Sequence, residues 1–262
     1  MAGSAVRVLI VAAVIAAGSA HAQVTDAELA CQASTAKAMG KFTTGRAKCI
    51  LKCEQGARKG RNPLSDCVPG SFGGATAVCA EAAEEKAADT EVRKCVKDCP
   101  ECYDGDGMCA PADCACDSGE LSEEVAAAID LYAGLVYCDD SASADHLTPA
   151  EATCQDGAAK TLASFVVRRL TCFRTCHQKV QKGDLPAGAC TLPVSDPDTV
   201  KCIATASRKA ATAIDKVCAP PGGDRPECFG ALDGTGWTSL IGGVVDGYDP
   251  QFFCGSPSGA FL

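Results

Sequence analysis

Bulky aromatic side chains are scarce in this chain, with one Trp, four Tyr and eight Phe among 262 residues. A chain so short of large apolar groups builds a thin core and must draw stability from elsewhere. Past residue 22 only two histidines remain, His146 and His177, and there is no G-x-S-x-G, H-E-x-x-H or phosphate-cradling glycine motif. The usual carriers of acyl transfer, zinc-peptidase and nucleotide chemistry are therefore missing, and the chain is expected not to be an enzyme. Asn62, the sole asparagine, precedes Pro63 and forms no glycosylation site. No segment approaches the ~18 uninterrupted apolar residues of a membrane span. Basic residues are absent between Lys97 and Lys160, whereas Tyr103 to Asp145 holds eleven carboxylates.

Cysteine, by contrast, is abundant. The chain opens with Arg7, an apolar run from Val8 to Gly18 and then Ala20-His21-Ala22, the small-x-small pattern cut by signal peptidase. Residues 1–22 are expected to be a signal peptide and the mature chain to begin at Gln23. Asp26 and Glu28 separate the apolar run from Cys31, which is the wrong pattern for a lipidated cysteine. All 20 cysteines lie beyond the cut, an even number in a compartment where thiols oxidise, so structural bridges are the default. The chain is expected to be secreted or periplasmic. Without the leader, 23 basic side chains face 33 acidic ones, a net charge near −10. That argues against nucleic acid and anionic membrane as partners.

The cysteines spell a repeat. Cys31, Cys49, Cys53, Cys67, Cys79 and Cys95 recur as Cys154, Cys172, Cys176, Cys190, Cys202 and Cys218, each displaced by 123 positions without a gap. At the same offset Thr25-Asp26-Ala27-Glu28 matches Thr148-Pro149-Ala150-Glu151, Gly60 matches Gly183, and Pro63 matches Pro186. Thr with Glu three residues on is a capping box, Pro at the first helical position strengthens it, and Gly followed by Pro stops a helix. Helices are predicted from Asp26 to Lys59 and from Pro149 to Lys182, with Gly40 and Thr43-Thr44-Gly45 marking a candidate kink in the first. Beyond Cys95 the match continues with gaps: Cys102 resembles Cys228, and Cys138 resembles Cys254. Cys99, Cys109, Cys114 and Cys116 belong to the first copy alone. The organisation read from this is a first unit at 23–145, with an acidic insertion at 103–145, and a second unit at 146–262.

Helix phase constrains the bridges. Residues 18 apart return to the same angle after about five turns, so Cys154 and Cys172 share a face, with Cys176 about 40° round. Leu162, Phe165, Val166, Leu170, Phe173 and Val180 form an apolar stripe beside them. On the next helix Cys202 and Cys218 lie about 160° apart, flanking a stripe of small and aliphatic residues from Val200 to Val217. A two-rung ladder between two straight helices is thus disfavoured, and the second helix of each unit is expected to reach two neighbours, unless its ends fray. Cys49 with Cys79 and Cys172 with Cys202 is the working pairing, one choice among the 105 that eight cysteines allow. A third helix from Ser122 to near Cys138, with Glu123 and Glu124 in its first turn, is the candidate second neighbour. Its counterpart from Gly230 to Asp249 is glycine-rich and expected to be looser. The fold class predicted is all-α: two tandem disulfide-stapled helical-hairpin units with irregular cysteine-rich loops.

Cys154-Gln155 opening a long helix, Cys172 with Cys176, and Lys201-Cys202 through Val217-Cys218 closing the next resemble the cysteine-rich helical-repeat proteins of bacterial secretomes. That resemblance covers most of both units and implies no activity. The paired C-x-x-x-C motifs Cys49 to Cys53 and Cys95 to Cys99 also resemble those of the plant α-hairpinins, an analogy of architecture. Here 41 residues separate the two motifs, and the second copy has Gly222 near where a match to Cys99 would fall.

Four groups of residues are candidates for chemistry. Cys172-Phe-Arg-Thr-Cys176-His177 has the ingredients of haem attachment, but the spacing departs from C-x-x-C-H and the first copy has Glu54 in place of the histidine. His177 is expected to face solvent beside two structural bridges. Cys99-Pro-Glu-Cys102 has the spacing of a redox dithiol without the strand-helix context that activates one. Cys99, Cys102, Cys109, Cys114 and Cys116 are candidate zinc ligands. Asp104, Asp106, Asp113 and Asp117 are candidate calcium ligands, although Met108 breaks the EF-hand template. Bridging is the preferred reading for the thiols and solvation for the carboxylates, and no cofactor is expected. The function expected is that of an exported, non-catalytic structural or binding protein whose partner is an unknown protein or surface. The alternative is a calcium, zinc or ligand carrier that uses the acidic insertion.

Overall fold

A computed structural model describes residues 25–95, 115–138, 147–186, 188–218 and 225–253. Among these the regular elements are all helices, with no strand: α1 (Asp26–Ala57), α2 (Gly74–Cys95), α3 (Ala115–Tyr137), α4 (Pro149–Gln181), α5 (Pro197–Cys218) and α6 (Gly234–Phe252), with short 3-10 turns between them. The two long helices, α1 and α4, begin at reciprocal caps. Thr25 Oγ1 accepts from the Glu28 amide at 3.2 Å while the Glu28 carboxylate accepts from the Thr25 amide at 2.5 Å, and Thr148 with Glu151 repeats this at 3.2 and 2.7 Å. Just past their ends Gly60 and Gly183 take φ of +66° and +77°, backbone that a Cβ disfavours. The candidate kink does not interrupt α1. Gly45 instead admits α2, since a Cβ there would lie 3.2 Å from that of Ala83.

Three bridges recur at the 123-residue offset with equal spans. Cys31–Cys95 and Cys154–Cys218 each close 64 residues, Cys49–Cys79 and Cys172–Cys202 each close 30, and Cys53–Cys67 and Cys176–Cys190 each close 14. The working pairing of the 30-residue bridges is therefore correct. The expectation against a two-rung ladder is not: both rungs join α1 to α2, and both join α4 to α5. The reason is that Cys95 and Cys218 are the last residues of their helices. The last turn of a helix is held less tightly than its interior, and the Cα atoms of Cys95 and Cys218 lie 4.8 and 4.6 Å from those of their partners. The third helices have another role. Cys138, immediately after α3, bridges Cys228 of the second copy across 90 residues and ties the copies together.

Two further expectations need correction. α3 begins at Ala115, about two turns before Ser122. Ser122 therefore lies within the helix, buried against α2 with its hydroxyl on Glu84 at 3.2 Å. α6 is not loose: Trp237, Ile241 and Val245 are among the most buried side chains, with Trp237 edge-on to Phe229 at 5.0 Å. Its glycines permit contact, because a Cβ on Gly234 would press on the Ala211 backbone and one on Gly242 would sit 3.4 Å from the Arg169 guanidinium.

α1 and α4 run antiparallel along the seam. Gln55 and Arg58 at the end of α1 donate to Asp156 near the start of α4 at 2.7 and 2.5 Å, and Gln181 at the end of α4 donates to Gln32 near the start of α1 at 3.3 Å. The third helices pack on this pair through a repeated ion pair. Arg46 forks onto Asp130 of α3 at 2.7 Å through both contacts, and Arg169 forks onto Asp246 of α6 at 2.6 Å. Each guanidinium also lies over two phenylalanine rings, Phe42 and Phe72 for Arg46, Phe165 and Phe173 for Arg169. One apolar cluster runs through all six helices.

Candidate binding face on α4, α5 and α6

The candidates read from sequence are only partly placed. Asp104, Asp106 and Asp113, with Cys99, Cys102, Cys109 and Cys114, lie outside the described residues, as do His146 and Cys254. Cys116 and Asp117 fall on the first turn of α3, and their side chains are likewise outside the description. Among the described residues no three His, Cys, Asp or Glu side chains converge as metal ligands would, and no cysteine is free. Cys172 and Cys176 are both consumed by bridges, which leaves neither for haem. His177 does not face solvent. It is 5 % exposed and stacks on Phe253 at 4.6 Å, a ring brought from the far end of α6.

Four titratable groups among the described residues depart from their ordinary range. Burial, and then the negative charge of Asp130, pushes the Tyr132 hydroxyl far above its usual range, and burial does the same at Tyr137. Asp196, at the start of α5, accepts from the Thr199 hydroxyl at 2.6 Å and the Thr199 amide at 3.0 Å, which lowers its pKa. Lys179 reaches Asp198 at 2.9 Å, and that bond, with Asp196 nearby, raises its own. These interactions close helix ends.

What distinguishes the two copies is charge. Along α2, Glu81, Glu84, Glu85, Asp89 and Glu91 outnumber Lys86, Arg93 and Lys94. Along α5, Lys201, Arg208, Lys209 and Lys216 outnumber Asp198 and Asp215. Position by position, Glu84, Glu85 and Asp89 become Ser207, Arg208 and Thr212. The helix keeps its bridges and its place, but its exposed face changes sign.

Two clefts open on this face. Between α4 and α5, about 260 Å³ is floored by Phe165, Ala206 and Ala210 and ringed by Lys160, Arg168 and Lys209, with the Thr161 and Ser164 hydroxyls beside them. These three cations are exposed and have no ion pair among the described residues. In the first copy Arg168 is matched by Gly45, over which α2 closes. The second cleft, about 640 Å³, lies between α5 and α6 and is polar, with Arg208, Asp215 and several hydroxyls on its walls. A third opening on the seam, where Thr43, Ile129, Val166 and Val245 meet, is apolar and holds only about 30 Å³, close to the space of one water.

The charge reversal was open to sequence reading, because the offset aligns α2 with α5. It is missed when acidic residues are summed over the segment 103–145 instead of being compared between copies. The clefts depend on which glycines face each other across helices, which spacing alone does not reveal.

Fold and bridges together define a disulfide-stabilised all-helical protein of six helices, described over the residues given above. No protein family matches the chain, and no curated protein or solved structure does either. No described helix is long and apolar enough to cross a membrane.

Proposed function

We propose that the protein is an exported, non-catalytic binding module whose α4–α5 face receives an acidic segment of a partner protein. The observation that carries this reading is the α4–α5 cleft itself, an apolar floor ringed by three exposed cations that have no ion pair among the described residues, of which Arg168 stands where the first copy has Gly45. A net-acidic chain that concentrates unpaired cations on one helix pair has a local field opposite in sign to its overall field. At physiological salt the Debye length is about 8 Å, so a short acidic segment docked on the patch feels the cations more than the distant carboxylates. A long polyanion is repelled by the remainder of the molecule. Export is supported by the leader-like start and by seven bridges among the described residues, which persist only where thiols oxidise. The non-catalytic reading draws on the employment of the polar groups already described, which serve bridges, caps and helix packing.

The test is fluorescence anisotropy of a labelled hexaglutamate peptide titrated with the protein across a salt series. Lys160→Glu/Arg168→Glu/Lys209→Glu is expected to abolish binding. Lys37→Glu/Lys41→Glu/Lys86→Glu, on the first copy, is expected to leave it intact. Equal loss in both variants would reduce the attraction to overall charge and overturn the reading, as would absence of binding in the parent protein.

A further inference from the structure

The cleft between α5 and α6 lies on the other side of α5 from the cation-ringed one and has different chemistry. We propose that it is a binding site for a small anionic polyol, a molecule carrying several hydroxyls and one carboxylate or phosphate group. The walls offer both halves of the hydrogen bonds that a polyol makes. Ser207 donates its proton to the Ile203 carbonyl at 3.1 Å, and Thr238 donates to the Thr235 carbonyl at 3.1 Å, so their oxygens remain as acceptors. Thr212, Thr235 and Ser239 also line the cleft, and their hydroxyls have no partner among the described residues, so they can donate or accept. Asp215 spends Oδ1 on the Gly234 amide at 2.7 Å and keeps Oδ2 as a further acceptor.

The anionic group is called for by Arg208. Its guanidinium is exposed at the wall and has no ion pair among the described residues, whereas Arg169 at the floor is already neutralised by Asp246. A guanidinium presents a planar fork that suits carboxylate or phosphate oxygens. The bases of α4 and α5 reinforce the positive potential there.

The first copy carries different side chains at the equivalent positions. Its equivalents of Gly242 and Gly243 are Ala126 and Ala127, and the equivalents of Ser207 and Thr238 are Glu84 and Ser122, which bond to each other at 3.2 Å. The second copy has withdrawn side chains from the floor and replaced a carboxylate with a hydroxyl. The second copy thus offers hydroxyls and bare backbone where the first has a carboxylate–hydroxyl bond and two methyl groups, which suits a hydroxyl-bearing ligand.

The experiment is isothermal titration of the intact secreted protein with D-glucuronate, D-glucose 6-phosphate and D-glucose as separate probes. At least one of the two anions is expected to bind about tenfold or more tighter than glucose, because glucose leaves the Arg208 charge unmatched. Which of them binds identifies the anionic group. Ser207→Glu/Arg208→Glu recreates the pair that α2 carries at these positions and is expected to weaken binding about tenfold or more. Gly243→Leu fills the cleft from a position whose added Cβ meets nothing within 4 Å. It is expected to abolish binding while the far-ultraviolet dichroism and the melting temperature stay unchanged. The proposal is overturned if none of the three probes binds, if glucose binds as tightly as the anions, or if both variants bind like the parent. Hexaglutamate binding is a separate readout, so this site and the α4–α5 face fail independently.

Discussion

The first and second copies share three bridges of identical span, two capping boxes and two forked Arg–Asp pairs, yet they present opposite charge along α2 and α5. Covalent closure explains how both can be true. When two bridges hold a helix in place, its outward residues carry little of the stability and are free to change sign. A chain with few aromatic residues gains the same freedom in its core, because cross-links limit the unfolded state where a larger core would have stabilised the folded one.

Removing a rung from one copy at a time tests whether the bridges support both alike. In the chain-entropy view a bridge that closes 64 residues contributes about 4 kcal/mol, so Cys31→Ser/Cys95→Ser and Cys154→Ser/Cys218→Ser are expected to lower stability by similar amounts in denaturant titration. A large difference between them would show that the copies are not supported alike.

Next in size are the forked pairs. Arg46→Met leaves Asp130 without its partner in a mostly buried site, and Arg169→Met does the same to Asp246. Each is expected to cost about 3 kcal/mol, with part of the loss recovered when the aspartate is also replaced by Leu. Failure of the second substitution to recover anything would assign the arginine's contribution to its contacts with the phenylalanine rings.

The smallest effect sharpens a difference between copies. Asp196 opens α5, while its equivalent at the start of α2 is Gly73. The folded pKa of Asp196 is lowered, chiefly by the Thr199 hydroxyl. Its contribution is therefore present above the ordinary carboxylate range and is lost as pH falls through the folded value. Amide exchange at Thr199, corrected for intrinsic rate, is expected to accelerate as pH falls below about 4, relative to the first turn of α2. Asp196→Ala should cost about 1 kcal/mol at pH 7 and remove that acceleration. Equal behaviour of the two helix starts would contradict the cap assignment.

Much of the frame was legible in the cysteines and caps. Thr25, Thr148, Gly60 and Gly183 mark the long helices to within two residues, whereas Cys49–Cys79 was one choice among many that spacing alone did not select. Phase failed at Cys95 and Cys218 because it assumes an ideal helix up to a terminal residue. Gly234 and Gly242 misled in the other direction: in isolation glycine weakens a helix, and only the approach of Ala211 and Arg169 turns that cost into contact. His177 was misplaced because Phe253, which covers it, comes from 76 positions away. The candidate site was the least legible part, since both clefts are differences between copies and neither is a motif within one.

Peptide mapping of the unreduced protein shows whether the bridges recur at the 123-residue offset. The expected bridges are Cys31–Cys95, Cys49–Cys79 and Cys53–Cys67 beside Cys154–Cys218, Cys172–Cys202 and Cys176–Cys190, with Cys138–Cys228 joining the two sets. Free thiols at these positions, or a different pairing in either set, would contradict that recurrence.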